Sequence, residues 1–85
     1  MRCRLSHHAR QEMERRNIPF ALVEEVLENP QQIAPERAGK TAYQSRQNIG
    51  GKMFLIRVIV DDAVDPAVVV TVYRTTKVQK YWRTP

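Results

Sequence analysis

The beginning of the chain carries apolar residues at a helical spacing. Leu5, Ala9 and Met13 recur every four residues, in a segment free of glycine, proline and β-branched residues. The hydroxyl of Ser6 can accept a hydrogen bond from the first turn of such a helix, and Asn17 lies where the pattern stops. The sequence therefore predicts a first helix over HHARQEMERR, with Ser6 as its N-cap.

A second helix is predicted directly after the first. Pro19 suits its first turn, because the missing N–H of proline would have no helical partner there. Asn29 and Pro30 end the pattern. The apolar positions lie on one side of this helix and glutamates on the other. These apolar positions are Leu22, Val23, Val26 and Leu27.

From residue 31 onward the chain has the pattern of strands separated by turns. The four predicted strands are QQIAP, KTAYQSRQN, KMFLIRVIV and AVVVTVYRT, with turns at Gly50 and Gly51 and at residues 61–66. Two helices followed by a meander predict an α+β fold in one domain over residues 1–85. We expect two N-terminal helices packed on one face of a four-stranded antiparallel sheet, whose other face is open to water.

Alternation along the last two strands assigns side chains to the two faces of the sheet. One apolar face is formed by Phe54, Ile56, Val58 and Val60, and Val68, Val70 and Val72 are predicted to share a side. Arg57 then lies on the open face, across from Thr71 and Tyr73. Tyr43 and Ser45 are expected beside them, although the pattern alone does not fix the register.

Charge distribution adds a functional expectation. The chain has 85 residues and a net charge of +5. Residues 1–16 hold five cations and two acids, residues 74–85 hold four cations and no acid, and residues 17–73 hold five cations and seven acids. If the two basic ends fold side by side, they form a positive face of the kind that meets nucleic acid. Solubility alone is the alternative explanation.

Several locations and chemistries are disfavoured by the sequence. No apolar run is long enough to span a bilayer, and the first residues lack the apolar core of a secretory signal. Cys3 has no second cysteine to pair with, which fits a reducing compartment, so we expect a cytoplasmic protein without membrane contact. Cys3, His7 and His8 are too few and badly spaced for a structural zinc site. No metal or cofactor is expected.

His8 is the main candidate for acid–base chemistry. The first turn of a helix disfavours positive charge, so the imidazole is expected to be neutral there and able to act as a base. His8 is therefore the candidate for the base or acid of a reaction. The alternative is a structural histidine at the edge of the helix–sheet contact. Arg57 and Lys77 suit a phosphate, and Tyr73 can donate its phenol or stack on a base. Further contacts to nucleic acid are expected from Arg16, Thr71, Arg74, Thr75 and Lys80.

These residue types allow one phosphoester reaction without a metal or a protein nucleophile. In RNA the 2′-hydroxyl can attack the adjoining phosphate, so a protein needs to supply only a base, an acid and positive donors. The same residues would also bind RNA without cutting it. An endoribonuclease and a non-catalytic module that binds nucleic acid or protein therefore both stay open. Tyr81 and Trp82 are expected to anchor the tail against the sheet rather than to recognise a ligand.

The order of these motifs resembles a bacterial family known as domain of unknown function 4258. The segments that carry the resemblance are SHHARQEMERRNIP, VEEVLENPQQI and VVTVYRTTKVQKYW. The matching positions are Ser6, His8, Ala9, Met13, Arg16, Ile18, Leu27, Pro30, Thr71, Tyr73, Lys77, Lys80, Tyr81 and Trp82. The resemblance covers nearly the whole chain.

That family has been grouped with RelE/ParE-like toxins and with metal-independent ribonucleases such as barnase and EndoU. The resemblance therefore implies a RelE-like fold, a toxin-like endoribonuclease that acts on RNA, and an antitoxin-type protein partner. It points to His8 and to the polar residues of the last strands as the site. One position departs from the pattern, because many members carry arginine where this chain has Glu12. An acid there would weaken a phosphate site, so an inactive nuclease-like fold is the alternative.

Overall fold

Five strands and three α-helices form the part of the chain that the computed structural model describes, residues 2–84. In chain order they are β1 (Cys3–Leu5), α1 (His7–Arg15), α2 (Phe20–Glu28), β2 (Gln32–Pro35), β3 (Thr41–Ile49), β4 (Lys52–Asp61), β5 (Ala67–Thr75) and α3 (Val78–Tyr81), with a 3-10 turn at Arg37–Gly39. The strands make one sheet in the order β1-β5-β4-β3-β2.

The sheet is mixed. β1 runs parallel to β5, with Leu5 opposite Val69, whereas all the other neighbouring strands are antiparallel. The α+β class and the four predicted strands are confirmed, but the prediction of a four-stranded antiparallel sheet is wrong. β1 was not predicted, because three residues are too few to show the alternation of a strand. Leu5 also begins the apolar stripe of the first helix, which hid the strand inside a helical pattern.

Ser6 connects β1 to α1 and fixes both to the sheet. Its side chain accepts a hydrogen bond from the backbone N–H of Ala9 at 3.0 Å, as an N-cap does. Its hydroxyl also donates to the carbonyl of Val70 at 3.1 Å. The predicted cap is confirmed. Asn17 follows the helix with a φ of 55°, so the chain turns there before α2.

The two long helices cover one face of the sheet with small aliphatic side chains. The buried cluster consists of Ala9, Met13, Ile18, Val23, Val26, Ile56, Val58, Val60, Ala67, Val69 and Val72. The apolar stripe predicted for the second helix is confirmed. That of the first helix is confirmed for Ala9 and Met13, whereas Leu5 belongs to β1. Pro19 is the N-cap of α2 rather than part of its first turn, because its backbone is extended.

The turn between β3 and β4 sets the register of that hairpin. Gly50 and Gly51 have φ of 61° and 83°, the left-handed backbone that a two-residue hairpin turn requires. This turn pairs Gln44 with Arg57. The prediction that Tyr43 and Ser45 lie beside Arg57 is wrong, because they pair with Val58 and Ile56, whose side chains face the helices.

A bulge shifts the register between β4 and β5. Ile59 pairs with Thr71 but Val60 pairs with Val69, which leaves Val70 as the extra residue. Val69 therefore takes a core position together with Val72. The prediction that Val68 and Val70 share the face of Val72 is wrong for this reason. Beyond the bulge, Thr71 and Tyr73 do lie on the side of Arg57, as predicted.

The face away from α1 and α2 is covered at its centre by residues 78–83, called here the C-terminal segment. Tyr81 of this segment lies over Arg57, and the side chains beneath it are withdrawn from water. Leu55 and Gln44 are fully buried and Arg57 is 3% exposed. The expectation of an open second face is therefore wrong at this position.

Candidate functional site

Arg57 lies at the centre of the covered face with most of its donors occupied. Its Nε donates to Oε1 of Gln44 at 2.8 Å. Its Nη1 donates to Oε2 of Glu36 at 3.3 Å and also to the phenolic oxygen of Tyr73. Because a guanidinium does not lose its charge, the carboxylate of Glu36 compensates it inside the site.

Two tyrosines enclose this guanidinium. The Cζ atom of Arg57 is 4.3 Å from the ring centroid of Tyr81 and 5.7 Å from that of Tyr73. The two rings meet edge to face, with centroids 6.2 Å apart. Burial raises the pKa of Tyr73, and the hydrogen bond from Arg57 opposes part of that rise. The phenol of Tyr73 is therefore protonated at neutral pH, as a hydrogen-bond donor to a ligand must be.

Two glutamines tie the C-terminal segment to the sheet. Nε2 of Gln44 donates to the carbonyl of Tyr81 at 3.1 Å and to Oε1 of Gln32 at 2.9 Å. The same oxygen of Gln32 accepts from the backbone N–H of Arg83 at 3.0 Å, and its amide donates to the carbonyl of Arg83. Tyr81 therefore anchors the tail, as the sequence predicts.

Sequence reasoning missed Gln44 and Glu36 in this cluster. A signal existed for Gln44, because a two-residue turn at Gly50 and Gly51 implies that it pairs with Arg57. Glu36 follows β2 directly and has no periodic pattern that would point it toward another strand. Its role emerges only from the tertiary contact.

His8 lies on the other side of the sheet from Arg57 and Tyr73. It belongs to α1, which packs through Ala9 on the face that carries Ile56, and the imidazole is exposed. Successive residues of β4 point to opposite faces, so Arg57 faces away from α1. The structure thus brings Arg57 and Tyr73 together and does not bring His8 to them.

Arg16 is also on the helical side, where it is engaged by Glu12. Its Nε lies 3.1 Å from Oε1 of Glu12, and Nη2 of Arg15 lies 2.8 Å from the same oxygen. These two arginines lower the pKa of Glu12 to about 2. Glu12 therefore stays ionised at any ordinary pH and offsets charge on α1, away from Arg57 and Tyr73.

The remaining predicted residues follow β5 toward its end. Thr71 lies opposite Ile59 and Thr75 opposite Leu55, on the covered face. Oγ1 of Thr75 accepts from the backbone N–H of Lys77 at 3.0 Å and thereby starts the turn into α3. Arg74 points to the other face, where its guanidinium lies 4.9 Å from the ring centroid of Phe54.

The antiparallel register brings cations from several elements close together at one end of the sheet, called here the basic end. It is formed by Arg46, Lys52, Arg74, Lys77 and Lys80. An open groove of about 580 Å³ lies there, and no carboxylate is among its described walls. Its lining residues are Arg46, Met53, Thr76, Lys77, Val78, Gln79 and Lys80. Within residues 2–84, no cation of the basic end forms an ion pair.

The acids of the second hairpin are too far away to neutralise the basic end. Lys52 begins β4 and Asp61 ends it, and ten residues of strand span about 30 Å. Charges are screened over about 8 Å at physiological salt. Asp61 and its neighbours Asp62 and Asp65 therefore leave the potential at the basic end positive. Arg46 is held in place by its stacking on Trp82, 4.1 Å from guanidinium carbon to ring centroid.

Other kinds of site are not found in the described chain. No group of three or more His, Cys, Asp or Glu side chains between residues 2 and 84 is arranged to hold a metal ion. None of the helices in that range is long and apolar enough to cross a membrane.

Residues 5–74 match the model of a protein family described as Domain of unknown function (DUF4258). The match spans most of the chain, so the chain belongs to this family, as its motifs predict. No curated protein and no solved structure matches the chain. The implied links to RelE/ParE-like toxins and to barnase-type ribonucleases stay predictions.

Proposed function

We propose that this member of the family is a small RNA-directed protein that binds the phosphate backbone of single-stranded RNA at its basic end. The observation that carries this proposal is the groove at the end of β3, β4 and β5, which has Arg46, Lys77 and Lys80 on its walls and no described carboxylate. Lys77 and Lys80 are among the residues predicted from sequence.

The chemistry of the groove suits a single strand. Lysines act as mobile point charges that follow a flexible phosphate backbone, whereas Arg46 is fixed by its ring contact. Met53 is 47% exposed on the same wall and offers apolar surface to an unstacked base. A positive groove beside apolar surface is the combination that single-stranded nucleic acid requires.

Salt dependence tests this proposal. Fluorescence anisotropy of a short labelled single-stranded RNA is measured with the purified protein over a series of salt concentrations. Three to five phosphate contacts should give a slope of log K against log salt of about −2 to −3.5. A slope near zero would contradict backbone binding. DNA of the same sequence is the competitor that reports any preference for the 2′-hydroxyl.

Two charge-reversal variants distinguish RNA binding in the groove from a general effect of the net charge of the protein. Lys77→Glu should weaken RNA binding at least about fivefold and make the salt slope shallower by roughly 0.7 or more. Arg37→Glu is the matched control, because Arg37 is exposed in the 3-10 turn beside β2, at the opposite end of the sheet. Equal weakening by the two variants would mean that only total charge matters, and the groove would lose its role.

RNA cleavage by attack of the 2′-hydroxyl is the second candidate function. It is favoured by the contact between Arg57 and Tyr73, which places a cation beside a protonated phenol. The sequence prediction assigns phosphate contacts to Arg57 and Lys77, proton donation or stacking to Tyr73, and the base or acid to His8. His8 lies on the other side of the sheet from Arg57 and Tyr73, and Arg57 is bonded to Glu36, so this candidate rests on Tyr73 and Lys77, and the role of His8 is tested separately. A RelE-like fold, a toxin role and an antitoxin-type partner belong to the same proposal and rest on the family resemblance.

Cleavage is tested on single-stranded RNA in the presence of EDTA. A metal-independent reaction should yield 2′,3′-cyclic phosphate ends, and His8→Ala should abolish it if His8 has the role predicted from sequence. His7→Ala is the control, because both histidines are exposed in the first turn of α1. Cleavage that stops with the chelator would contradict the metal-independent reaction, and cleavage that continues in His8→Ala would contradict the role predicted for His8. Neither result would affect the proposal of RNA binding.

A further inference from the structure

The sheet ends at β1, whose outer side has no neighbouring strand within residues 2–84. On its inner side, Ala67 donates to the carbonyl of Arg2 at 3.2 Å, and Ser6 donates to the carbonyl of Val69 at 3.0 Å. In a parallel ladder only alternate residues bond to one neighbour, so the backbone of Cys3 and Leu5 points away from β5. These N–H and C=O groups form an edge that another strand can join.

An apolar groove runs along the helical side of this edge. Its volume is about 810 Å³, and a smaller hollow of about 100 Å³ shares three of its residues and continues it. Phe20, at the start of α2, is 54% exposed and lines both. The apolar residues along the two hollows are Cys3, Leu5, Met13, Ile18, Phe20 and Leu27.

Charge differs between the two sides of β1. Cys3 and Leu5 pack toward the core, so alternation places Arg4 on the opposite side, where it is exposed. Arg4 forms no ion pair with any described residue. Arg4 and Arg10 line part of the groove, and three acids border it on the helical side. The acids are Glu14, Glu24 and Glu28, which outnumber Arg10, so the helical side of the groove has a net negative charge.

We infer that β1 is a docking edge for an extended segment of a partner protein in which apolar and acidic residues alternate. The segment adds a sixth strand to the sheet through the backbone of Cys3 and Leu5. Its apolar side chains enter the groove beside Phe20, and its acidic side chains lie across from Arg4 on the other face. The net negative charge on the helical side of the groove permits this orientation and disfavours the reverse.

A second copy of this chain fits the edge less well. Two β1 strands paired antiparallel about a two-fold axis and centred on Arg4 would place that arginine directly opposite its own copy. Like charges facing each other across strands are destabilising. The charge complement of Arg4 is an acid, which β1 itself does not contain.

The peptide Val-Glu-Val-Glu-Val-Glu-Val is the probe for this inference. It is titrated into isotope-labelled protein, and amide shifts and hydrogen exchange are followed by NMR. We expect shifts at Cys3 and Leu5, slower exchange of their N–H groups and no change at Lys77. The peptide with lysine in place of glutamate is the control and should bind about tenfold more weakly. No binding, binding elsewhere on the chain, or equal binding of both peptides would overturn the inference.

Variants of the protein supply the second readout. Arg4→Glu should reverse the preference so that the lysine peptide binds better, whereas Arg37→Glu, at the far edge of the sheet, should leave it unchanged. Both residues are exposed, so the fold should tolerate the changes, and circular dichroism checks this. An unchanged preference in Arg4→Glu would overturn the inference. So would sedimentation showing that the unbound protein already dimerises through this edge.

Discussion

Removal of the charge that compensates Arg57 should destabilise the fold strongly. Glu36→Gln keeps the size of the side chain and an oxygen that can accept from Arg57, but it leaves the guanidinium without a counter-charge. The side chain of Arg57 is 4% exposed, so water cannot take the place of the carboxylate. Since arginine does not deprotonate, the fold has to hold an uncompensated charge.

The size of the effect follows from the distance. Nη1 of Arg57 and Oε2 of Glu36 are 3.3 Å apart, and their attraction is about 5 kcal/mol at an effective dielectric constant near 20. The side chain of Glu36 is 29% exposed, which screens part of this energy, and the amide retains a hydrogen bond. We expect a loss of about 2 to 3 kcal/mol from a total free energy of unfolding of roughly 4 to 13 kcal/mol for a chain of this length.

Urea denaturation followed by the fluorescence of Trp82 measures this loss. Trp82 belongs to the C-terminal segment and stacks on Arg46, so its emission reports the release of that segment. With a slope near 1 kcal/mol per molar urea, the midpoint should fall by about 2 to 3 M. Glu12→Gln is the control, because it removes ion pairs on the surface of α1 and should leave the midpoint almost unchanged.

A double variant checks the assigned cause. Arg57→Met combined with Glu36→Gln removes both charges, so its loss of stability should be smaller than the sum of the two single losses. If Glu36→Gln unfolds at the same urea concentration as the unmodified chain, Arg57 does not depend on this carboxylate. Additive losses would likewise refute the coupling between the two residues.

Three other perturbations have expected outcomes. The pKa of Tyr73 is raised in the folded chain, so its contribution to the free energy of unfolding is complete below pH 10 and is lost as the pH rises toward the pKa of the folded state. Tyr73→Phe should make the free energy of unfolding depend less on pH in alkaline denaturation. Ser6→Ala should cost about 1 to 2 kcal/mol in thermal unfolding, because it removes a helix cap and a bond to β5. Gly50→Ala should cost about 1 kcal/mol by the same measurement, because its φ of 61° strains any residue with a Cβ.

The helices and the longer strands could be predicted from sequence because the residues that begin or end each element agree with the period of its apolar positions. Ser6 and Asn17 bound α1, and the paired glycines separate β3 from β4, so local chemistry and global fold give the same answer. β1 had no comparable signal, since three residues are too few to show the period of a strand or that of a helix. The bulge at Val70 was equally hidden, because an inserted residue looks like continued alternation in a run of valines.

The surroundings of Arg57 could be predicted only in part. Alternation correctly placed Arg57 with Tyr73, but it cannot say whether a sheet face is covered. The cover comes from a four-residue helix and an irregular segment, held by Gln32 and Gln44 from strands distant in sequence. Such contacts depend on where the tail crosses the sheet, which no local pattern encodes. The position of Arg57 beside Tyr73 was therefore predicted correctly and its burial was not, and its contact with a phosphate stays a prediction.

Burial of Arg57 also decides where a polyanion is expected to bind. A guanidinium bonded to Glu36 and lying under Tyr81 offers a phosphate little, whereas Lys77 and Lys80 are exposed at the basic end. The family match ends at residue 74 and begins at residue 5, so both lysines and the first two residues of β1 lie outside it. Family membership therefore supports neither the groove nor the docking edge, and each has to be tested on this chain by its own charge reversal.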